Sequence, residues 1–234
     1  RAVLPAVRIM IREHVQNGVH LYVPEGAEGV VREVFDEDCY RIREIPETSL
    51  VVDVGAHIGC FALRCAVERR CRVVAYEPNP ETFGFLVASI RLNAAAVEPV
   101  FSAVGANDGL VPFFLNRGHP AGSTLHGREY PDVAYEEIRV PCCSLDTIVP
   151  SASSGTLVLK LDCEGAEREI LSEHFAASLR RFDRVVGEWH NHDGDRYRDV
   201  LTGIGFDVEL RGGGVPQPQW DPSIGGGLLY ARRR

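Results

Sequence analysis

A chain of 234 residues with 45% hydrophobic and 25% charged content is long enough to bury one sizeable core, and nothing in its composition forces a second. Its formal net charge of −8 disfavours tight nucleic-acid binding as a main activity, because neutralising phosphates takes a concentrated basic face and the only basic run is Arg232-Arg233-Arg234. No apolar run approaches the roughly 20 residues of a membrane helix, so no membrane partner is expected.

Residues 1–49 read as an N-terminal cap segment. Within it Arg8–Val15 suits a short strand or helix, and Gly29–Arg41 an amphipathic helix leading to Tyr40. The segment is expected to cover the ligand-binding edge of a sheet, or simply an open edge of it. Residues 50–234 read as one α/β domain, with strands and helices alternating as in a parallel sheet covered on both faces. Strands are expected at Leu50–Val54, Arg72–Tyr76, Val97–Val104, Thr156–Leu161 and Arg184–Glu188. Helices are expected at Phe61–Arg69, Pro80–Asn93, Ala166–Leu179 and Gly194–Gly203. Gly109–Leu115 suits an extra extended segment, and the polar stretch Asn116–Glu137 after it is long enough for a lid or acceptor loop. A late pair, Phe206–Arg211 and Leu228–Arg232, predicts an antiparallel hairpin at the sheet edge, with the glycine- and proline-rich run from Gly212 to Pro218 as a surface loop.

The run Val51-Val52-Asp53-Val54-Gly55-Ala56-His57-Ile58-Gly59-Cys60-Phe61 is a buried strand that hands over to a helix through a glycine-spaced turn. Gly55 lets the backbone turn where a Cβ would meet a ligand, and Gly59 permits close approach at the helix start. The middle glycine that lets a dinucleotide pyrophosphate lie on the backbone is missing, which argues against NAD. Glu77 ends the second strand and suits an acid accepting hydrogen bonds from both ribose hydroxyls, so the pair Asp53 and Glu77 points to an adenosine ligand without phosphates. Asp53 itself reads as a contact to a cationic amine or as a helix-capping carboxylate.

Seven cysteines, at 39, 60, 65, 71, 142, 143 and 163, are odd in number and lack Cys-x-x-Cys spacing, so neither a disulfide frame nor a zinc site is suggested. A reducing cytoplasm fits best, and no signal peptide is visible.

Val158-Leu159-Lys160-Leu161-Asp162-Cys163-Glu164-Gly165-Ala166-Glu167, with Asp-Val-Gly-Ala-x-Ile-Gly before it and Tyr-Glu-Pro-Asn-Pro between, resembles the FkbM-like family of S-adenosylmethionine-dependent methyltransferases. Asp38-Cys39-Tyr40, Ala103-Val104-Gly105, Gly122-Ser123-Thr124-Leu125 and Ser144-Leu145-Asp146-Thr147-Ile148 extend the resemblance over about residues 35 to 190. The resemblance implies a class I, Rossmann-like methyltransferase fold: a mostly parallel seven-stranded sheet with helices on both faces, the methyl donor lying across the carboxyl ends of the strands. S-adenosyl-L-methionine is the cofactor it implies. Asp53 and the backbone of Gly55, Ala56, His57 and Gly59 would then hold the methionine end and Glu77 the ribose. Pro78 and Asn79 would line the approach to adenine, with Ser102 and Ala103 closing that side.

Asp162, at the fourth strand's end, would face the donor's ammonium group or the acceptor, or else cap the following helix. Glu164 is a further candidate beside it, and Lys160 points away from its strand neighbours toward a carboxylate partner. Gly187-Glu188-Trp189-His190-Asn191-His192-Asp193 is the densest ionisable cluster in the chain. Methyl transfer to a hydroxyl needs the acceptor proton removed, so His190 is the expected general base, with Glu188 orienting it or lining the site. The expected activity is O-methylation of a small metabolite, natural-product intermediate or sugar, with N-methylation open and no metal expected. A divalent-metal enzyme using Asp162, Glu188 and His190 as ligands is the less favoured alternative, and a non-catalytic donor-binding module another. Oligomeric state stays open.

Overall fold

The computed structural model describes residues 11–126, 134–151, 155–190, 192–212 and 226–234. It opens on an antiparallel hairpin of β1 (Ile11–Gln16) and β2 (Val19–Pro24). Asn17 and Gly18 join them with φ of 53° and 79°, the positive values that two-residue hairpin turns need and that Asn-Gly supplies at low cost. The first ten residues of the chain lie outside the described residues, so only the end of the expected 8–15 element is seen, and it is strand. The hairpin does not cover a sheet edge. Val19, Leu21 and Val23 alternate into the core, and the exposed backbone of β2 is tied to α3 (Pro80–Asn93), whose Ser89 and Asn93 side chains bond the main chain of Tyr22 and His20.

The helix expected over 29–41 is shorter and starts a residue earlier. α1 (Glu28–Val31) runs into a π-helical turn, Arg32–Asp36, and the chain then reverses through Asp38 and Arg41, both left-handed at φ 50° and 51°. The fully buried Arg64 imposes this ending. Its guanidinium bonds Asp38 Oδ1 at 2.8 Å and the Val34 carbonyl, so the backbone must close around it. A 3-10 turn at Ile42–Glu44 follows.

The main sheet is built as the spacing predicts, from β3 (Leu50–Val54), β4 (Arg72–Tyr76), β5 (Val97–Val100), β9 (Leu157–Leu161), β10 (Arg184–Trp189), β11 (Phe206–Gly212) and β12 (Gly227–Arg233). Their order is β11-β12-β10-β9-β3-β4-β5, and only β12 runs against the others. Side chains alternate across it. Val51, Val73 and Val158 join the core under α2 (Cys60–Glu68), α3 and the N-terminal hairpin, while Val52, Val54, Leu159 and Leu161 join the core under α7 (Gly194–Gly203) and its neighbours. Most of the loop expected after Gly212 falls at 213–225, outside the described residues.

Two expected elements divide. The strand over 97–104 ends at Val100, because Ser102 Oγ bonds the Pro141 carbonyl at 3.1 Å and draws the chain out of the main sheet. The separated piece, β6 (Ala103–Gly105), joins a second sheet in the order β6-β8-β7, with β7 (Gly109–Asn116) and β8 (Tyr135–Ser144). β8 takes in part of what reads as a loop over 116–137, and residues 127–133 lie outside the described ones. α4 (Leu145–Ile148) follows it, N-capped by Ser144. The helix over 166–179 breaks after α5 (Glu167–Ile170), where Ser172 turns its hydroxyl onto the Glu169 carbonyl in place of a continuing helical bond. It resumes through a 3-10 turn at Glu173–Phe175 into α6 (Ala176–Leu179). Among the described residues no helix is long and apolar enough to cross a membrane.

Candidate functional site

The chain leaves β3 in one direction, to β4 and β5, and returns on the other side through β9 and β10, so the sheet switches topology between β3 and β9. Ligands of open α/β sheets bind at such a point, outside the carboxyl ends of the strands. A cleft of about 650 Å³, open mouth included, lies there. Gly55, His57, Glu77, Pro78, Ser102, Ala103, Asp162 and Glu164 line it; Asp53, Ala56, Gly59 and Asn79 do not. Ser123 and Leu125, from the stretch expected as a lid or acceptor loop, and Val30, from the expected N-terminal cover, also line it, as does Phe113, an apolar side chain with no chemical signature of a wall.

The reason for Gly55 differs from the one the sequence suggests. At φ 78°, a Cβ there would sit 1.7 Å from the Asp162 carbonyl oxygen, so the clash is first with the backbone at the tip of the adjacent strand β9. Gly59, at φ 94°, caps α2 and faces Leu86. Between them His57 is left-handed at φ 53° and gives its backbone N–H to Glu77 Oε2 at 2.7 Å. Burial drives the His57 imidazole down to about 4, so the ring is neutral, and its Nδ1 has no hydrogen-bond partner among the described residues.

Glu77 is 5% exposed. Its Oε1 accepts from the Asn79 N–H at 2.8 Å and the Thr82 hydroxyl at 2.9 Å, and burial pushes its carboxyl up to about 7 against these donors. A carboxylate offers about four acceptor positions. Three are taken, which leaves room on Oε2 for one ligand hydroxyl rather than the two expected. Asn79 is a buried N-cap, its Oδ1 accepting from the Glu81 N–H at 3.0 Å, and so shapes the wall from behind.

Asp53 is fully buried and pairs with Lys160 Nζ at 3.2 Å. Burial raises the Asp53 carboxyl and Lys160 opposes that rise, while the two carboxylates beside Lys160 overcome burial and keep its ammonium charged. Asp53 is therefore the counter-ion of Lys160 and does not reach the cleft wall. Lys160 also donates to the Gly55 carbonyl at 2.7 Å and lies 3.7 Å from Asp162 Oδ2, so one cation joins the glycine turn to the tip of β9. The Tyr40 hydroxyl donates to Asp162 Oδ2 at 2.8 Å and lies 3.3 Å from Glu188 Oε1. Through Tyr40 and Val30 the N-terminal segment reaches the strand tips, even though its hairpin does not.

The structure brings the residues of the expected catalytic cluster together. His190 is 6% exposed and off the cleft wall. Its Nδ1 lies 3.3 Å from Glu167 Oε2, and its Nε2 lies 3.7 Å from Glu188 and 3.8 Å from Glu164. Burial opposes its charge, but Glu167, Glu164 and Glu188 outweigh burial and hold the imidazole well above its ordinary range. His190 sits behind the cleft rather than on its wall, where a general base would meet the acceptor proton. Glu188 is likewise behind the wall, whereas Asp162 and Glu164 line the cleft. Glu164 holds a left-handed φ of 52°, and its carbonyl accepts the Thr124 hydroxyl at 2.7 Å.

This geometry coincides with a family match: the model of the methyltransferase FkbM domain matches residues 53–208. The chain belongs to the FkbM methyltransferase family. It is 27% identical to Methyltransferase 1 of Beauveria bassiana over 83% of this chain and 85% of that one. Against 31-O-demethyl-FK506 methyltransferase FkbM of Streptomyces tacrolimicus the identity is 28%, over 78% and 82%. The structure of M. jannaschii TYW2 in complex with AdoMet superposes with a TM-score of 0.50 at 15% identity, covering 96% of this chain and 87% of that one, a likeness of fold. The seven-stranded sheet is thus that of class I methyltransferases, and the FkbM match begins at Asp53 and takes in both sides of the switch point.

Proposed function

We propose that the cleft binds S-adenosyl-L-methionine and that the protein moves its methyl group to a hydroxyl oxygen of a small metabolite, natural-product intermediate or sugar. The observation that carries this reading is the placement of Glu77 at the tip of β4, with one acceptor position open beside a turn that has no pyrophosphate-binding glycine. His57, whose backbone N–H fixes Glu77 Oε2, lines the same wall. Lys160 holds the Gly55 turn and Asp162 in register. In the transfer the acceptor oxygen forms the new O–CH₃ bond, the S–CH₃ bond breaks, and its electron pair stays on sulfur as a neutral thioether. The acceptor proton passes to Glu164, a carboxylate that lines the cleft next to Asp162. The cysteines among the described residues are all free, which fits a reducing compartment.

The test is methyl transfer from labelled donor to a panel of hydroxylated small molecules, with amines and tRNA alongside. Label on a hydroxyl oxygen supports the reading. Label only on an amine or on tRNA would replace the acceptor assignment.

A further inference from the structure

We propose that Asp162, Glu188 and His190 form a binding site for one divalent cation of the Mn²⁺ kind. Each offers one ligand atom, and the three atoms lie within 4.8 Å of one another. Ligands around an ion held at about 2.0–2.6 Å sit roughly 3–5 Å apart, so these atoms converge on a common point with small rotamer changes. The backbone dictates the convergence. β9 and β10 are parallel neighbours with Leu161 opposite Gly187, which brings Asp162 and Glu188 level at the two strand tips. Gly187 allows that approach, since a Cβ there would lie 2.0 Å from the Leu161 carbonyl oxygen.

Two further features belong to a prepared ion site. His190 is 6% exposed, and its Nδ1 faces Glu167 Oε2, a carboxylate itself fixed by the N–H groups of Cys163 and Gly165 at 2.6 and 2.8 Å. A metal-binding histidine is oriented in this way, with the far nitrogen on a carboxylate and the near one turned to the ion, here on the side of Glu188. Tyr40 meanwhile spans one oxygen of Asp162 and one of Glu188, leaving each carboxylate a second oxygen. Two carboxylates with one imidazole suit Mn²⁺, which accepts both oxygen and nitrogen. Asp162 also lines the cleft, so a cation there would act as a Lewis acid toward an acceptor hydroxyl; only this catalytic consequence rests on the donor reading above.

The probe is Mn²⁺ alone, titrated into EDTA-stripped protein and followed by calorimetry and by the electron paramagnetic resonance of free Mn²⁺. One ion per chain is expected. Glu188→Gln and His190→Gln should each weaken it by at least about 10-fold, and Glu167→Gln by roughly 10–100-fold, the usual loss when a supporting carboxylate is removed. Far-UV circular dichroism with a cooperative melt serves as the check that each variant is folded. If the variants do not fold, Mn²⁺ should still quench Trp189 saturably in Trp220→Phe, where it is the sole tryptophan. Absence of saturable uptake up to about 1 mM Mn²⁺, or uptake unchanged in both Glu188→Gln and His190→Gln, overturns the site. Mn²⁺ uptake without S-adenosylhomocysteine binding would instead overturn the donor reading and leave the cation site standing.

Discussion

Lys160→Met should cost about 3–5 kcal/mol of folding stability, the usual loss when one partner of a buried ion pair is removed and the other stays. Asp53 is fully buried 3.2 Å from that ammonium, and among the described residues neither of its oxygens receives an aligned hydrogen bond. Without Lys160 it must stay charged in an apolar core or take up a proton, and both cost free energy. The same substitution removes the bond to the Gly55 carbonyl and so loosens the turn that lines the cleft. The double variant Asp53→Asn with Lys160→Met should recover much of the loss, because no buried charge is then left unpaired. Denaturant unfolding measures both. A single variant within about 1 kcal/mol of wild type would show that the pair does not organise this region.

Glu164→Gln should lower turnover roughly 10²–10⁴-fold while donor affinity stays close to wild type, the pattern of a lost proton acceptor. Glu164 is chosen over His190 on position: it lines the cleft, whereas His190 is buried off its wall. Single-turnover rates with saturating donor separate the chemical step from binding. Wild-type turnover in Glu164→Gln would return the assignment to the carboxylates of Asp162 and Glu188.

Much of the frame is legible from local pattern. The β-branched run into Gly55 and Gly59, the acid that ends β4, the Asn79-Pro80 helix start and the late hairpin each carry their signal within a few residues, and the structure builds each of them. Asn17-Gly18 and the alternation of Ile138, Val140 and Cys142 were also there to be read as a hairpin turn and a strand. What pattern does not carry is contact between distant segments. Nothing near Tyr40 says that its hydroxyl meets Asp162, more than a hundred residues on, or that Asp53 pairs with Lys160. The departure of β6 from the main sheet depends on Ser102 reaching Pro141, and the break after Ile170 on a serine satisfying a carbonyl it could equally have left to the helix. Nor does the run around His190 show the three glutamates that surround it, which come from the β9–α5 connection, α5 and β10.

The most direct test of the cleft as a methyl-donor site is calorimetric titration of S-adenosylhomocysteine into wild type and Glu77→Gln, with NAD and ATP as controls. One site per chain is expected for S-adenosylhomocysteine and none for the controls. Losing one hydrogen bond to a charged acceptor should weaken the variant by about 1.5–3 kcal/mol. Burial places Glu77 at about 7, above its unfolded value, so its contribution to the free protein's stability falls as pH rises through that window. The ionised form is the better hydroxyl acceptor, so wild-type affinity should rise between about pH 6 and about pH 8, and Glu77→Gln should flatten that rise. Equal affinity in both proteins, or binding of NAD or ATP in place of S-adenosylhomocysteine, would contradict the account.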